Sequence, residues 1–358
     1  MKWRKEKISI LSLIIASAVT ILFMIFEFKS IAKVPAPFFK EKIEAAKLTE
    51  KAFGLIKAYV KELNIPIDWI NDPNETGLIG PQYSTITLGR GDLNEKLTTT
   101  NPNIAGIVIE FLKRCGVKEY DTVAVALTGS YPGLNIATLC ALKVLNLHPI
   151  IITSVSASMW GANHPQLTYL DMETRLRNPE IFEFKSVAAT IGGEDDMGRG
   201  LSPEGRKIIQ NAIIRNRIQP LDIKDPTDRI EKRWSLYTSK GRPKAFINVG
   251  ETKFSEPDIE PGYIPPGKLK YGKGIIGRFS IARVPVINLI ALNNLAQKYG
   301  LPIAPIPLPR IGSGRLYYRI KYSVTQAIIY LVILISLLLI ILKCDLDYYL
   351  GLKKGNKG

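Results

Sequence analysis

The sequence predicts an α/β fold: an open, mostly parallel Rossmann-like sheet domain flanked by two transmembrane helices. Two uncharged stretches, Ile8 to Phe26 and Tyr322 to Leu342, bracket the chain. About 20 apolar residues rising 1.5 Å each cross a hydrocarbon core. Between them, β-rich runs alternate with helical patterns, the order that builds parallel sheets. The clearest unit runs from Asp121 to Thr153 and reads as strand, glycine turn, helix, strand.

The first element is a short basic tail, residues 1–7, with Lys2, Arg4, Lys5 and Lys7 directly before the first span at 8–26. Basic residues beside a span stay in the cytoplasm. Ala16-Ser17-Ala18 offers a small-residue cleavage site, but the apolar run continues well beyond Ala18, which suits an uncleaved anchor. A second span at 322–342 returns the tail 343–358 to the cytoplasm. The expected location is therefore the cell membrane, two-pass, with the main domain outside.

Residues 27–95 read as a stalk or packing helix followed by a loop-rich segment, and residues 96–310 as the α/β domain. Ile43, Ala46, Phe53, Ile56, Val60 and Leu63 recur at helical spacing between Phe38 and Leu63, and Pro66 ends that helix. Asn103 to Cys115 is a second helix, stopped by Gly116. Asp121–Leu127 has the unbroken apolar character of a strand buried on both faces. Leu134–Leu145 is its crossover helix and His148–Thr153 the next parallel strand. Ser186–Ile191, Ala245–Val249 and Val284–Asn288 are further strands, with helices at Pro203–Arg217 and Asn288–Tyr299. Glu256–Gly274, rich in Pro, Gly and charge, reads as an excursion or lid.

The formal charge is +16, with 48 basic against 32 acidic residues, and most of the excess lies between the two spans. A basic domain beside a membrane attracts anionic partners such as phospholipid headgroups or an acidic polymer. No zinc-finger spacing, RNA-binding signature or basic helix with interleaved aromatics is present, so nucleic acid is excluded as a partner. Cys115, Cys140 and Cys344 match no metal spacing. Cys115 and Cys140 either pair or stand as buried thiols. Two histidines are too few for a histidine-based metal site.

Ligands of open parallel sheets bind beyond the carboxyl ends of the strands. There the turn Thr128-Gly-Ser-Tyr-Pro-Gly133 opens a helix, offering backbone N–H groups and a positive dipole end to a phosphate or carboxylate. Thr128, Gly129, Ser130, Gly133 and Asn135 are the candidates, against the plain alternative of a helix cap. The turn is neither a Walker A loop nor a dinucleotide fingerprint, and it is loosely similar to the serine-rich turns of phosphosugar isomerase-type domains. Ser154, Ser156 and Ser158, with Asn163, leave the next strand beside it, where turn formation explains them almost as well. Asp171, Glu173, Glu194, Asp195 and Asp196 form clustered acids suited to a divalent cation, Mg²⁺ or Ca²⁺, or to a solvated turn. Ser130 as a catalytic nucleophile needs a base, and His164 is the histidine nearest in this order, since His148 starts its strand at the opposite end.

Thr76-Gly-Leu-Ile-Gly80, Thr98-Thr-Thr-Asn-Pro102, Thr128-Gly-Ser-Tyr-Pro-Gly-Leu-Asn135, Trp160-Gly-Ala-Asn163, Leu170-Asp-Met-Glu173 and Gly192-Gly-Glu-Asp-Asp-Met-Gly-Arg-Gly200 occur in this order. Together they resemble the poly-γ-glutamate system protein family of bacterial loci that make or export that polymer. The resemblance covers roughly residues 40 to 310 and implies a pathway rather than a reaction, with no catalytic residues to carry over. Its implied partners are the membrane, the anionic polymer and other membrane proteins of the same system. Two further expectations stand beside it: a hydrolase or transferase acting on γ-glutamyl amide bonds through Ser130, and a cytoplasm-facing phosphosugar- or nucleotide-binding domain.

Overall fold

The structure, a computed structural model, describes residues 10–193, 195–223, 225, 228–250, 259–269 and 274–343. The expected tails, Cys344, Glu194 and parts of the 256–274 segment lie outside the described residues. In chain order the elements begin with α1 (Ile10–Lys29), β1 (Ala32–Pro35), α2 (Phe39–Glu62), α3 (Leu93–Thr99), a single 3₁₀ turn (Pro102–Ile104) and α4 (Ala105–Arg114). Next come β2 (Thr122–Thr128), α5 (Pro132–Val144), β3 (His148–Ser154), the two-residue strands β4 (Asn163–His164) and β5 (Leu167–Thr168), α6 (Tyr169–Leu176) and β6 (Ala188–Thr190). Last are α7 (Pro203–Arg215), α8 (Asp228–Tyr237), β7 (Ala245–Val249), β8 (Gly262–Ile264), α9 (Ile275–Ile281), β9 (Val286–Leu289), α10 (Leu292–Lys298), β10 (Tyr318–Lys321) and α11 (Val324–Lys343).

The chain divides into two compact units, residues 36–317 and the two terminal segments together. In the terminal unit, α1 and α11 are long and apolar enough to cross a membrane. Phe23 and Tyr330 stack across them with ring centroids 4.6 Å apart. β1 and β10 pair antiparallel, Ala32 opposite Lys321 through Pro35 opposite Tyr318.

The larger unit is built on a six-stranded sheet of order β6-β3-β2-β7-β9-β8. The first five strands are parallel, and β8 closes the edge antiparallel to β9. The β2 sequence Thr-Val-Ala-Val-Ala-Leu-Thr is buried from Val123 onward because helices cover both faces, so a run without polar alternation belongs at the sheet centre. On one face, Phe246 and Phe279 stack at 4.3 Å, joined by Tyr237 and the aliphatic side chains of α9.

Two expectations are corrected here. Of the two readings of the 39–62 helix, the packing helix holds and the stalk does not: it is a layer of the domain. Its stripe of Ala45, Ala46, Thr49, Ala52, Phe53, Ile56 and Val60 is buried along the full length, and the small alanines let α4 and α5 approach closely. Lys42 on the same stripe is buried, and its ammonium reaches Glu110 at 2.6 Å and the Leu316 carbonyl at 3.1 Å. The described part of the 256–274 segment supplies the edge strand β8 instead of a lid. Cys115 and Cys140 are separate buried thiols with no disulfide between them, and burial pushes each up to about 12.

Candidate functional site

Parallel strands direct their carboxyl ends to one edge of the sheet, and the turns leaving β2 and β3 meet there. The Gly129 N–H donates to the Ser154 carbonyl at 2.8 Å, and the Ala162 N–H donates back to the Gly129 carbonyl at 2.8 Å. Only a residue without a side chain fits between. A Cβ on Gly129 would lie 2.3 Å from the Val155 carbonyl oxygen. Gly133 is equally confined, its notional Cβ 2.6 Å from the Thr99 carbonyl at the end of α3. We expect Gly129→Ala to cost about 1–3 kcal/mol as the turn is pushed off the β3 exit. A melting temperature equal to that of the unaltered protein would remove this close approach from consideration.

These contacts correct the expected anion cradle. The Ser130 N–H is taken by Thr128 Oγ1 at 3.2 Å, and the Asn135 amide donates to the Thr128 carbonyl at 2.7 Å while fully buried. Thr128 is likewise buried, and the start of α5 is covered by the end of α3. The helix start is thus organised for holding the turn. Asn163 is also fully buried, its amide donating at 2.8 Å to both the Pro81 carbonyl and Thr87 Oγ1, which fixes the 80–87 loop.

What fills the edge is a lysine that sequence reasoning missed. Lys96, on α3, is 1 % exposed. Its ammonium nitrogen lies 2.7 Å from Ser158 Oγ, contacts the Ser130 carbonyl oxygen, and sits 4.1 Å above the Tyr131 ring. The Ser158 N–H donates to Ser130 Oγ at 3.1 Å, so both serines share the site. Both remain half-buried and reach solvent. The neighbouring Glu95 points elsewhere, accepting from Tyr131 Oη at 2.8 Å and from the Leu292 N–H at 3.0 Å. Lys96 therefore has a carbonyl, a hydroxyl and a ring as partners. Burial drives its pKa down to about 7, with Glu95 and Asp92 opposing.

The three alternating serines have three different fates. Ser154 Oγ accepts from Arg233 at 3.0 Å and faces Asp196 and Thr190. Ser156 is buried against Gly192. Only Ser158 combines exposure with a basic nitrogen. His164 is half-buried, its Nδ1 accepting from the Gln166 N–H at 3.3 Å, so the base brought to the serines is Lys96 and not this histidine.

The acids are engaged internally. Asp171 accepts from the Thr168 N–H and hydroxyl at 2.7 Å, from Arg215 and from Asn216. Glu173 is buried, accepting from the Ser186 N–H at 2.8 Å and hydroxyl at 2.7 Å, and burial raises its pKa. Asp195 closes its own turn through the N–H groups of Met197 and Arg199. Asp196 is fully buried and gripped by Arg233 Nε at 2.9 Å and Nη2 at 2.8 Å, with Thr190 Oγ1 at 2.7 Å. Among the described residues, no group of three or more His, Cys, Asp or Glu side chains is placed to hold a metal ion. The described members of the expected cation cluster are thus separate structural carboxylates: Asp195 is satisfied within its own turn, whereas Asp171, Glu173 and Asp196 take donors from other elements. Around Asp196, the Arg199, Arg229 and Arg233 charges lie close enough to influence one another.

Comparison of the chain with family models, curated proteins and solved structures finds no match in any of the three.

Proposed function

We propose that this protein is a membrane-anchored component of poly-γ-glutamate biosynthesis or export, whose α/β domain engages the anionic polymer at the carboxyl end of the sheet. The observation that carries this reading is the composition of that edge. A buried lysine and two half-buried serines meet where ligands of parallel sheets bind. A repeating carboxylate chain matches the excess of basic over acidic residues in the chain, and its backbone amides match the serine hydroxyls. The choice of polymer rests on the resemblance of the ordered motifs quoted above to the poly-γ-glutamate system protein family. The basic tail before the first span supports cytoplasmic termini and a domain outside, beside the other membrane proteins of the same system.

The test is retention of poly-γ-glutamate by the full-length protein in nanodiscs. Binding is expected at low salt, falling steeply as ionic strength shortens the Debye length from about 30 Å at 0.01 M to about 8 Å at 0.15 M. An uncharged polymer of similar length should not be retained. Binding that ignores salt, or none at any salt, would set the reading aside.

A further inference from the structure

We propose that Ser158 and Lys96 form a nucleophile–base couple that hydrolyses amide bonds within the bound polymer; the choice of γ-glutamyl amide as substrate rests on the reading above, the couple itself on geometry. The 2.7 Å contact between Lys96 Nζ and Ser158 Oγ is within proton-transfer reach. A neutral amine there keeps an N–H for the Ser130 carbonyl and turns its lone pair to the Ser158 hydroxyl proton. The surroundings favour that neutral state, because burial opposes an ammonium and no carboxylate among its hydrogen-bond partners compensates it. Ser158 is held by its own N–H to Ser130 Oγ, which keeps the hydroxyl at the lysine, and the serine is half-buried, with the backbone of Gly91 against its oxygen where a side chain would not fit freely.

In the first step, Ser158 Oγ bonds to the amide carbonyl carbon as its proton moves to Lys96 Nζ. The carbon–nitrogen bond then breaks, and the proton passes from Lys96 to the leaving amine. Water, deprotonated by the same lysine, attacks the resulting ester. The carbon–Oγ bond breaks, a carboxylate leaves, and Ser158 recovers its proton.

The experiment uses the full-length protein in nanodiscs and a fluorophosphonate probe, which reacts with activated serines and needs no polymer. Peptide mass analysis is expected to find the probe on Ser158. The labelling rate should climb with pH through a midpoint near 7, where the lysine loses its proton. Lys96→Met should slow labelling by about 100-fold or more, the scale of a lost general base, and Ser158→Ala should abolish it. Poly-γ-glutamate incubated with the unaltered protein should shorten on gels. The site of labelling and its pH profile are read on the unaltered protein, so misfolding of a variant cannot obscure them. Absence of labelling, labelling at Ser130 instead, or a pH-independent rate would overturn the couple. Labelling without polymer shortening would keep the couple and reject this substrate. Failure of polymer retention is a separate result and strikes the preceding proposal.

Discussion

Replacing Arg233 with Ala is expected to lower the stability of the 36–317 unit by about 3–5 kcal/mol, the scale seen when one partner of a buried ion pair is removed. Asp196 is left without its cation at a position with no exposed side-chain surface. Arg233 also donates to Ser154 Oγ and Thr190 Oγ1, so the ends of β3 and β6 lose a shared clamp. The double replacement Arg233→Met, Asp196→Leu should recover much of the loss, since neither charge then remains buried. Trp234 adjoins the pair and packs at 5.0 Å from the Phe279 ring, so its fluorescence reports the unfolding directly. An Arg233→Ala protein unfolding within a few tenths of a kcal/mol of the original would show that the pair is solvated.

The second large effect is a pH dependence. Lys96 has a folded pKa of about 7 against its usual 10.5. Between those values the unfolded chain holds a proton at this position that the folded chain has released. Stability therefore rises with pH across that window, by up to about 1.4 kcal/mol per unit, and the desolvation cost is fully present below pH 7. Lys96→Met removes the titrating group. The variant's stability relative to the original should be most favourable near pH 6 and decline steadily toward pH 10. Urea unfolding at several pH values measures this, and parallel curves for the two proteins would mean that the lysine is charged in the fold.

The frame of the molecule was legible because it is written in periodicity. Val123 to Leu127 lacks polar alternation, which belongs only to a central parallel strand, and the strand–turn–helix–strand unit followed directly. The α2 stripe was equally clear, but a pattern shows that a face is buried and not what covers it, so stalk and packing helix stood side by side until the structure showed a domain layer. Strand β8 was hidden in a Pro- and Gly-rich stretch because an edge strand of three residues carries almost no pattern.

The site was legible only in part. Glycine turns and alternating serines marked the correct edge, since backbone geometry demands glycine wherever two turns meet as closely as Gly129 and Val155. Which serine matters depends on Lys96, 62 positions away from Ser158 in the chain. Nothing local distinguishes that lysine from a solvated one: α3 has seven residues and no apolar repeat. Arg233 was invisible for the same reason, lying on a helix rich in charge whose burial is decided by the sheet beneath it. The acidic residues misled in the opposite direction. Proximity in sequence suggested a shared ion, whereas Asp171, Glu173 and Asp196 each close a different junction between elements.

The most direct measurement is hydrogen exchange of the full-length protein in nanodiscs with and without poly-γ-glutamate. Polymer bound at the carboxyl edge should slow exchange in peptides spanning 128–133 and 154–161, and leave the opposite edge near Tyr120, Arg242 and Arg283 unchanged. Protection confined to that opposite edge, where Arg242, Lys244 and Arg283 line a hollow, or protection nowhere, would contradict a polymer site at Lys96 and Ser158.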